Sequence, residues 1–188
     1  MGNGRRELHR RASARDLAAA LVTYVGLTEG MDTAKNPDYQ MGLAYDFDYG
    51  YMTDEQRTTI RRVIAQATAG KTSHGMDMPR HLRTYNWMPA GTGLALLALC
   101  IEGEEGYDRA VYTKTVDLMR DFLTYGIYPS GSPTEGMHYF NFGMQWGAMT
   151  LVAMAKRGEV LVEHPHWKAL GPSIEGFTLP RPRTTAAC

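Results

Sequence analysis

The chain has 188 residues, 44% of them hydrophobic, and its 20 Lys plus Arg balance 20 Asp plus Glu. That length suffices for one domain with a sizeable core, without metal or disulfide staples. A balanced charge lacks the global field by which nucleic-acid and membrane-surface binders draw their partners, so any attraction for a charged ligand is local.

The opening RRELHRRASARDLAAALVTYVGL sets basic residues before an apolar run. Glu7 and Asp16 interrupt the basic part and no small-x-small cleavage site follows, so the stretch reads as a helix rather than a secretion signal. Leu17, Leu21, Tyr24 and Val25 mark one face of that first helix, which ends between Gly26 and Gly30. After a polar loop with Asn36 and Pro37, an aromatic-rich second helix is predicted from Met41 to Tyr51. A third runs from Thr53 to about Ala69, opened by TDEQ, in which Thr53 and Gln56 have capping-box spacing. Residues 70–85, GKTSHGMDMPRHLRTY, form a connection rich in glycine, proline and charge.

A fourth helix carries Pro89 in its first turns, where proline is tolerated, and continues as AGTGLALLALCIE, too apolar all round to be anything but interior. Cys100, within this run, reads as a small buried thiol; with Cys188 as the other cysteine, neither a disulfide framework nor a zinc site has support. Residues 106–125 are amphipathic through Val111, Val116, Met119, Phe122 and Leu123. The loop-bearing stretch PSGSPTEGMHYFNFG, 129–143, leads into a sixth helix, Tyr139 to Lys156. Thr134 or Ser132 is placed to cap that helix, and Glu135 suits its positive end. From Gly158 the apolar period fades, and prolines at 165, 172, 180 and 182 predict an irregular end segment, packed on or extending from a helical domain of residues 1–157. No stretch approaches the apolar length of a membrane span.

Alternating strand patterns are scarce, so the fold class is all-α: helical hairpins stacked as a bundle or as part of an α/α toroid. In a toroid the loops 71–85 and 126–136 share one rim if both precede inner helices. The absence of a concentrated basic recognition helix argues against a DNA-binding regulator. His164 and His166 in EHPHW lack a third ligand at metal-site spacing and read as a proline-held surface tail.

Three segments carry a family resemblance: LAYDFDYGYMTDEQR (43–57), RHLRTYNWMPAGTGLALLAL (80–99) and SPTEGMHYFNFG (132–143). In this order they resemble the helical toroid of the heparinase II/III-like polysaccharide lyases, through the aliphatic-YD helix followed by T-x-E-x-R, the NW pair opening a glycine-containing apolar helix, and the EG-x-x-Y turn. The likeness spans about residues 14–157. It implies a partial or minimal α/α toroid acting without metal or other cofactor on a uronic-acid polysaccharide such as alginate or a glycosaminoglycan, in a periplasmic or secreted setting. The family's tyrosine falls on Tyr139, and its asparagine falls on Asn86. Many of these lyases place a histidine beside the asparagine, where this chain has Trp87. Complete members have a longer toroid and usually a β-sandwich domain, so either this short form acts alone or missing helices, a β-domain or a second copy of the chain completes the cleft.

β-Elimination removes the C5 proton of a uronate and expels the oxygen at C4, so the carboxylate must be neutralised while enolate-like charge builds on it. An asparagine amide donates hydrogen bonds there without adding a competing acid, and Asn86 stands at a predicted helix start. A phenol with an ordinary pKa of about 10 needs help to act as a base; Tyr139 would act on C5, on the leaving oxygen, or on both. His138 and His81 are further catalytic candidates. Arg80 and Arg83 form with His81 a basic wall for a uronate or sulfate, and Trp87, Glu135 and Tyr45 complete the substrate-binding candidates. Two other readings remain open. An inverting glycoside hydrolase would pair Asp46 or Asp48 with Glu135 at about 6.5–9.5 Å, and a non-catalytic carbohydrate-binding fragment would use the 11 tyrosines and 3 tryptophans for stacking.

Overall fold

The structure, a computed structural model, describes residues 39–69, 79–85 and 87–177, together with Arg11, Asp16 and Ala20. Among the described residues there is no strand, only an isolated antiparallel bridge between Ile127 and Pro133, and the chain is all-α. Leu17, Leu21, Tyr24 and Val25, which mark the predicted first helix, lie outside the described residues, as do residues 70–78 of the long connection.

Helix α1 (Tyr39–Asp48) is shorter than the second helix expected from sequence, because Tyr49–Tyr51 tightens into a 3-10 turn. Helix α2 (Asp54–Thr68) begins at the expected capping box: the Gln56 N–H donates to Thr53 Oγ1 at 3.2 Å, and the Thr53 N–H donates to Gln56 Oε1 at 2.9 Å. Its face Ile60, Val63, Ile64 and Ala67 packs with Met41 and Tyr45 of α1 into one core.

The predicted fourth helix is interrupted. Helix α3 (Trp87–Gly91) and helix α4 (Gly93–Leu99) meet at Thr92, whose hydroxyl donates to the Pro89 carbonyl at 2.5 Å. Every residue of α4 is buried, as its all-round apolarity requires. Leu97 joins the α1–α2 core and Ala95 faces a second core, so α4 is a wall between the two. Cys100 follows α4, donating through Sγ to the Leu96 carbonyl at 3.1 Å, and burial pushes its thiol up to about 12, leaving it unreactive at neutral pH.

The second core is built by helix α5 (Arg109–Tyr125) and helix α6 (Met137–Ala155). Asp108 caps α5, accepting from the Ala110 N–H at 2.8 Å. Val116, Met119, Phe122 and Leu123 of α5 meet Phe140, Met144, Leu151 and Met154 of α6. At Gly147 a Cβ would lie 2.8 Å from the Pro89 Cβ, so α3 and α6 approach as closely as glycine permits.

The segment after Gly158 departs from expectation. Val160–Glu163 forms a 3-10 turn, Pro165–Phe177 forms helix α7, and Leu161 and Leu170 are buried in the second core. Pro165 reads as a breaker but occupies the first helical position, where a missing N–H costs nothing. No described helix is long and apolar enough to cross a membrane.

A histidine starts α7. The His166 N–H donates to His164 Nδ1 at 3.3 Å, which assigns the His164 proton to Nε2, 3.3 Å from Thr124 Oγ1. Burial, then the neighbouring His166, holds His164 below its ordinary value. A depressed histidine is neutral in both states above about pH 6.5, whereas below it the unfolded chain takes the proton more readily. Stability is therefore fully present above that pH and falls as pH drops through the folded value. Urea titrations between pH 7.5 and 5 are expected to show this loss, and His164→Asn, which keeps a non-titrating cap acceptor, is expected to flatten it. An unchanged slope in that variant would remove His164 as its origin.

Candidate functional site

Two loops meet at the end of the molecule where α5 finishes and α6 begins. The first is residues 79–85, with a 3-10 turn over Arg80–Leu82. The second, residues 126–136, is a tight hairpin in which the Tyr128 N–H donates to the Ser132 carbonyl at 2.9 Å and the Thr134 N–H donates to the Gly126 carbonyl at 3.0 Å. Thr134 Oγ1 lies 2.9 Å from the Thr84 carbonyl and 3.1 Å from that of Gly126. Its hydroxyl therefore tethers one loop to the other, rather than capping α6 as the sequence suggested. Gly136 precedes α6 with no side-chain cap, at φ 81°.

Gly131 seats the hairpin on α7. Its φ is +85°, and a Cβ there would fall 2.1 Å from the Ala169 carbonyl oxygen. A left-handed backbone and a direct clash both oppose any side chain, so Gly131→Ala is expected to cost about 2–4 kcal/mol in chemical denaturation. An unchanged midpoint would mean that the hairpin moves off α7 freely.

A buried carboxylate adds to the Thr134 tether in holding the 79–85 loop. Asp121 of α5, with 2% of its side chain accessible, accepts from Arg80 Nη2 at 2.6 Å and Arg83 Nη1 at 2.8 Å. The sequence reading missed this residue, although a signal exists: Asp121 falls on the apolar face of α5, three positions after Leu118 and next to Phe122. Hydrogen bonding to Asp121 raises the Arg80 guanidinium further above its ordinary value. The expected anion wall is thus an Arg–Asp–Arg triad with one net positive charge, in which Arg80 is mostly exposed and Arg83 mostly buried.

The first turn of α6 separates its aromatic residues by facing. Phe140 is buried, stacked 6.4 Å from the Phe122 ring, with the tilted Trp167 ring of α7 at 6.5 Å. Tyr139 is 53% exposed, with His138 edge-on at 5.6 Å. Tyr139 is therefore not a core aromatic. Its hydroxyl makes no hydrogen bond to a described residue and faces solvent with His138. Glu135, His81, Tyr125 and Tyr128 are also exposed at this end.

The structure brings Arg80, His81 and Arg83 to the same end as Glu135, His138 and Tyr139. Asn86 and the side chain of Trp87 lie outside the described residues. Thr84 stands two positions before Asn86 in sequence, and Tyr85 packs against the second core. Tyr45 does not join the group. It is fully buried in the other core, its hydroxyl donates to the Glu104 carboxylate at 3.0 Å, and burial with that bond raises its phenol above its ordinary range. Glu104 also pairs with Arg61 at 3.3 Å. A tyrosine shut into such a core cannot reach a saccharide, so its place in the YD motif is structural.

The carboxylates of the hydrolase reading are also placed apart in character. Asp48 is buried, its Oδ2 without a partner among the described residues and its carboxyl raised by burial, whereas Asp46 is exposed beside an apolar groove of α4 and α6. Among the described residues no cluster of three or more His, Cys, Asp or Glu is arranged to hold a metal ion. No family model, curated protein or solved structure matches this chain.

Proposed function

We propose that the chain is a toroid-like polysaccharide lyase domain that cleaves a uronic-acid-containing polysaccharide by β-elimination. The observation that carries this reading is the Thr134–Thr84 tether, which joins the loop leading to Tyr139 with the loop leading to Asn86. The exposure of Tyr139 at that junction supports the same reading. In this scheme Asn86 donates to the uronate carboxylate as charge builds during removal of the C5 proton. Tyr139 takes that proton or protonates the C4 oxygen, and His138 and His81 are the nearby groups able to relay it. Arg80, with its guanidinium partly open to solvent, offers its remaining N–H donors to an anionic sugar.

The test is a panel of polyuronates, including alginate, a chondroitin-type chain and a heparan-type chain, incubated with the purified chain and followed by ultraviolet absorbance. An absorbance rise from the conjugated unsaturated acid is expected for at least one polymer. New reducing ends without that rise would replace elimination by hydrolysis, and saturable binding with neither product would leave a carbohydrate-binding domain.

A further inference from the structure

Helix α6 meets water with a face that carries no charge. From Met137 to Ala155 it contains no Asp, Glu, Lys or Arg, whereas α5, of similar length, turns Arg109, Lys114 and Asp117 outward. Asn141, Gln145, Ala148, Val152 and Ala155 of α6 are nonetheless exposed. They recur at alternating steps of four and three, the spacing of a helix–helix seam. Val152, the largest apolar side chain among them, is 56% exposed. A helix that ends its contacts at the protein surface places charged and polar residues on its outer side, so an uncharged seam there marks a contact face. Beside it runs a groove of about 500 Å³, lined by Leu43, Leu96, Leu99 and Met149 among others. Helix α4 is its floor and packs on both walls, α1 and α6.

The charges at the edge of the groove say what covers it. Asp46 on the α1 wall and Lys156 on the α6 wall are both exposed there, and neither makes a salt bridge to a described residue. Arg157, at the same edge, is already taken by Glu102 at 2.6 Å. Two copies of one surface brought face to face repel each other if that surface carries a single sign, and attract if it is neutral with opposite charges on its two sides. This surface has the second form. The polar members of the seam, Asn141 and Gln145, are amides, each both donor and acceptor, so each can bond its own kind across a symmetry axis. We infer that this face is a homodimer interface. The α6 helices of two copies pack antiparallel about a two-fold axis, Val152 of each copy enters the groove of the other, and Asp46 of each pairs with Lys156 of the other. The inference is independent of the lyase reading, because none of these residues belongs to the two loops.

The experiment is sedimentation equilibrium of the full chain from low to high micromolar concentration, where a monomer–dimer equilibrium is expected. Val152→Lys is expected to raise the dimer dissociation constant by about tenfold or more. Its thermal midpoint at a dilution where the chain is monomeric should stay unchanged, because Val152 is exposed. Asp46→Lys and Lys156→Asp each set like charges opposite one another and are expected to weaken the dimer. Mixing these two single variants is expected to give dimer again, since one then carries only cations at the two positions and the other only anions. The mixture separates an interface effect from damage to the fold, which mixing cannot repair. A chain that stays monomeric at every concentration overturns the inference, as does a dimer whose dissociation constant Val152→Lys leaves unchanged. Absence of a mixed dimer from the two charge variants overturns the two-fold arrangement proposed for Asp46 and Lys156.

Discussion

Tyr139→Phe is expected to lower formation of unsaturated product from the best polyuronate by about 10²–10⁴-fold, the usual contribution of a positioned acid or base. The substitution removes one oxygen and keeps the ring. Because Tyr139 is half exposed and its hydroxyl bonds no described residue, the substitution removes no bond to a described residue and the thermal midpoint is expected to stay put. Affinity for a saturated oligouronate should change little, since a proton-transfer group acts in the transition state rather than in the ground state. Asn86→Ala supplies the companion measurement, with an expected loss of about 10²–10³-fold for a missing donor to developing negative charge. A Tyr139→Phe preparation that retains the full elimination rate would take the phenol out of the mechanism, whatever Asn86 does.

Asp121→Ala is expected to cost about 3–5 kcal/mol, the range found when one partner of a buried ion pair is removed. Most of that cost belongs to Arg83, whose side chain is 13% accessible and loses the carboxylate 2.8 Å away. Arg80 is largely solvated and contributes far less. Asp121→Asn keeps an acceptor and is expected to fall between the alanine variant and the parent. Urea denaturation reads both. The 79–85 loop should also loosen, so polyuronate turnover by Asp121→Ala is expected to fall in step with stability, although Asp121 is too deeply buried to touch substrate. A midpoint unchanged in the alanine variant would show that the loop is held by other contacts.

The parts of this molecule that were legible in its sequence are those written in short-range code. Thr53 and Gln56 satisfy each other within one turn, and the boundary they predict is the one observed. The apolar run after Pro89 has no polar face to turn outward, and α4 is buried throughout. The joining of the two loops was expected from hairpin topology, but not its agent: a threonine three residues from a helix start looks like a cap, and only its distance from Thr84 distinguishes tether from cap. Helix α7 was hidden because prolines at 165 and 172 outweighed a weak apolar period, while the covering of Leu161 and Leu170 depends on partners far away in sequence. Arg80 and Arg83 were read as a free basic wall because charge pairing across about 40 positions leaves no local mark. Tyr45 was misplaced for a related reason: a motif says which residues recur, not which way a side chain faces.

Helix α4 has a consequence for how the molecule opens. Leu97 and Ala95 belong to different apolar clusters, and Leu94 and Ala98 reach Val111 of α5, so one seven-residue element is shared by both halves. Among the described residues, α1–α2 cannot lift away from α5–α7 without uncovering one buried face of that helix. Amide exchange in α2 and in the middle of α6 is therefore expected to proceed through the same global event, with matching opening free energies, while the ends of α7 exchange earlier through local fraying.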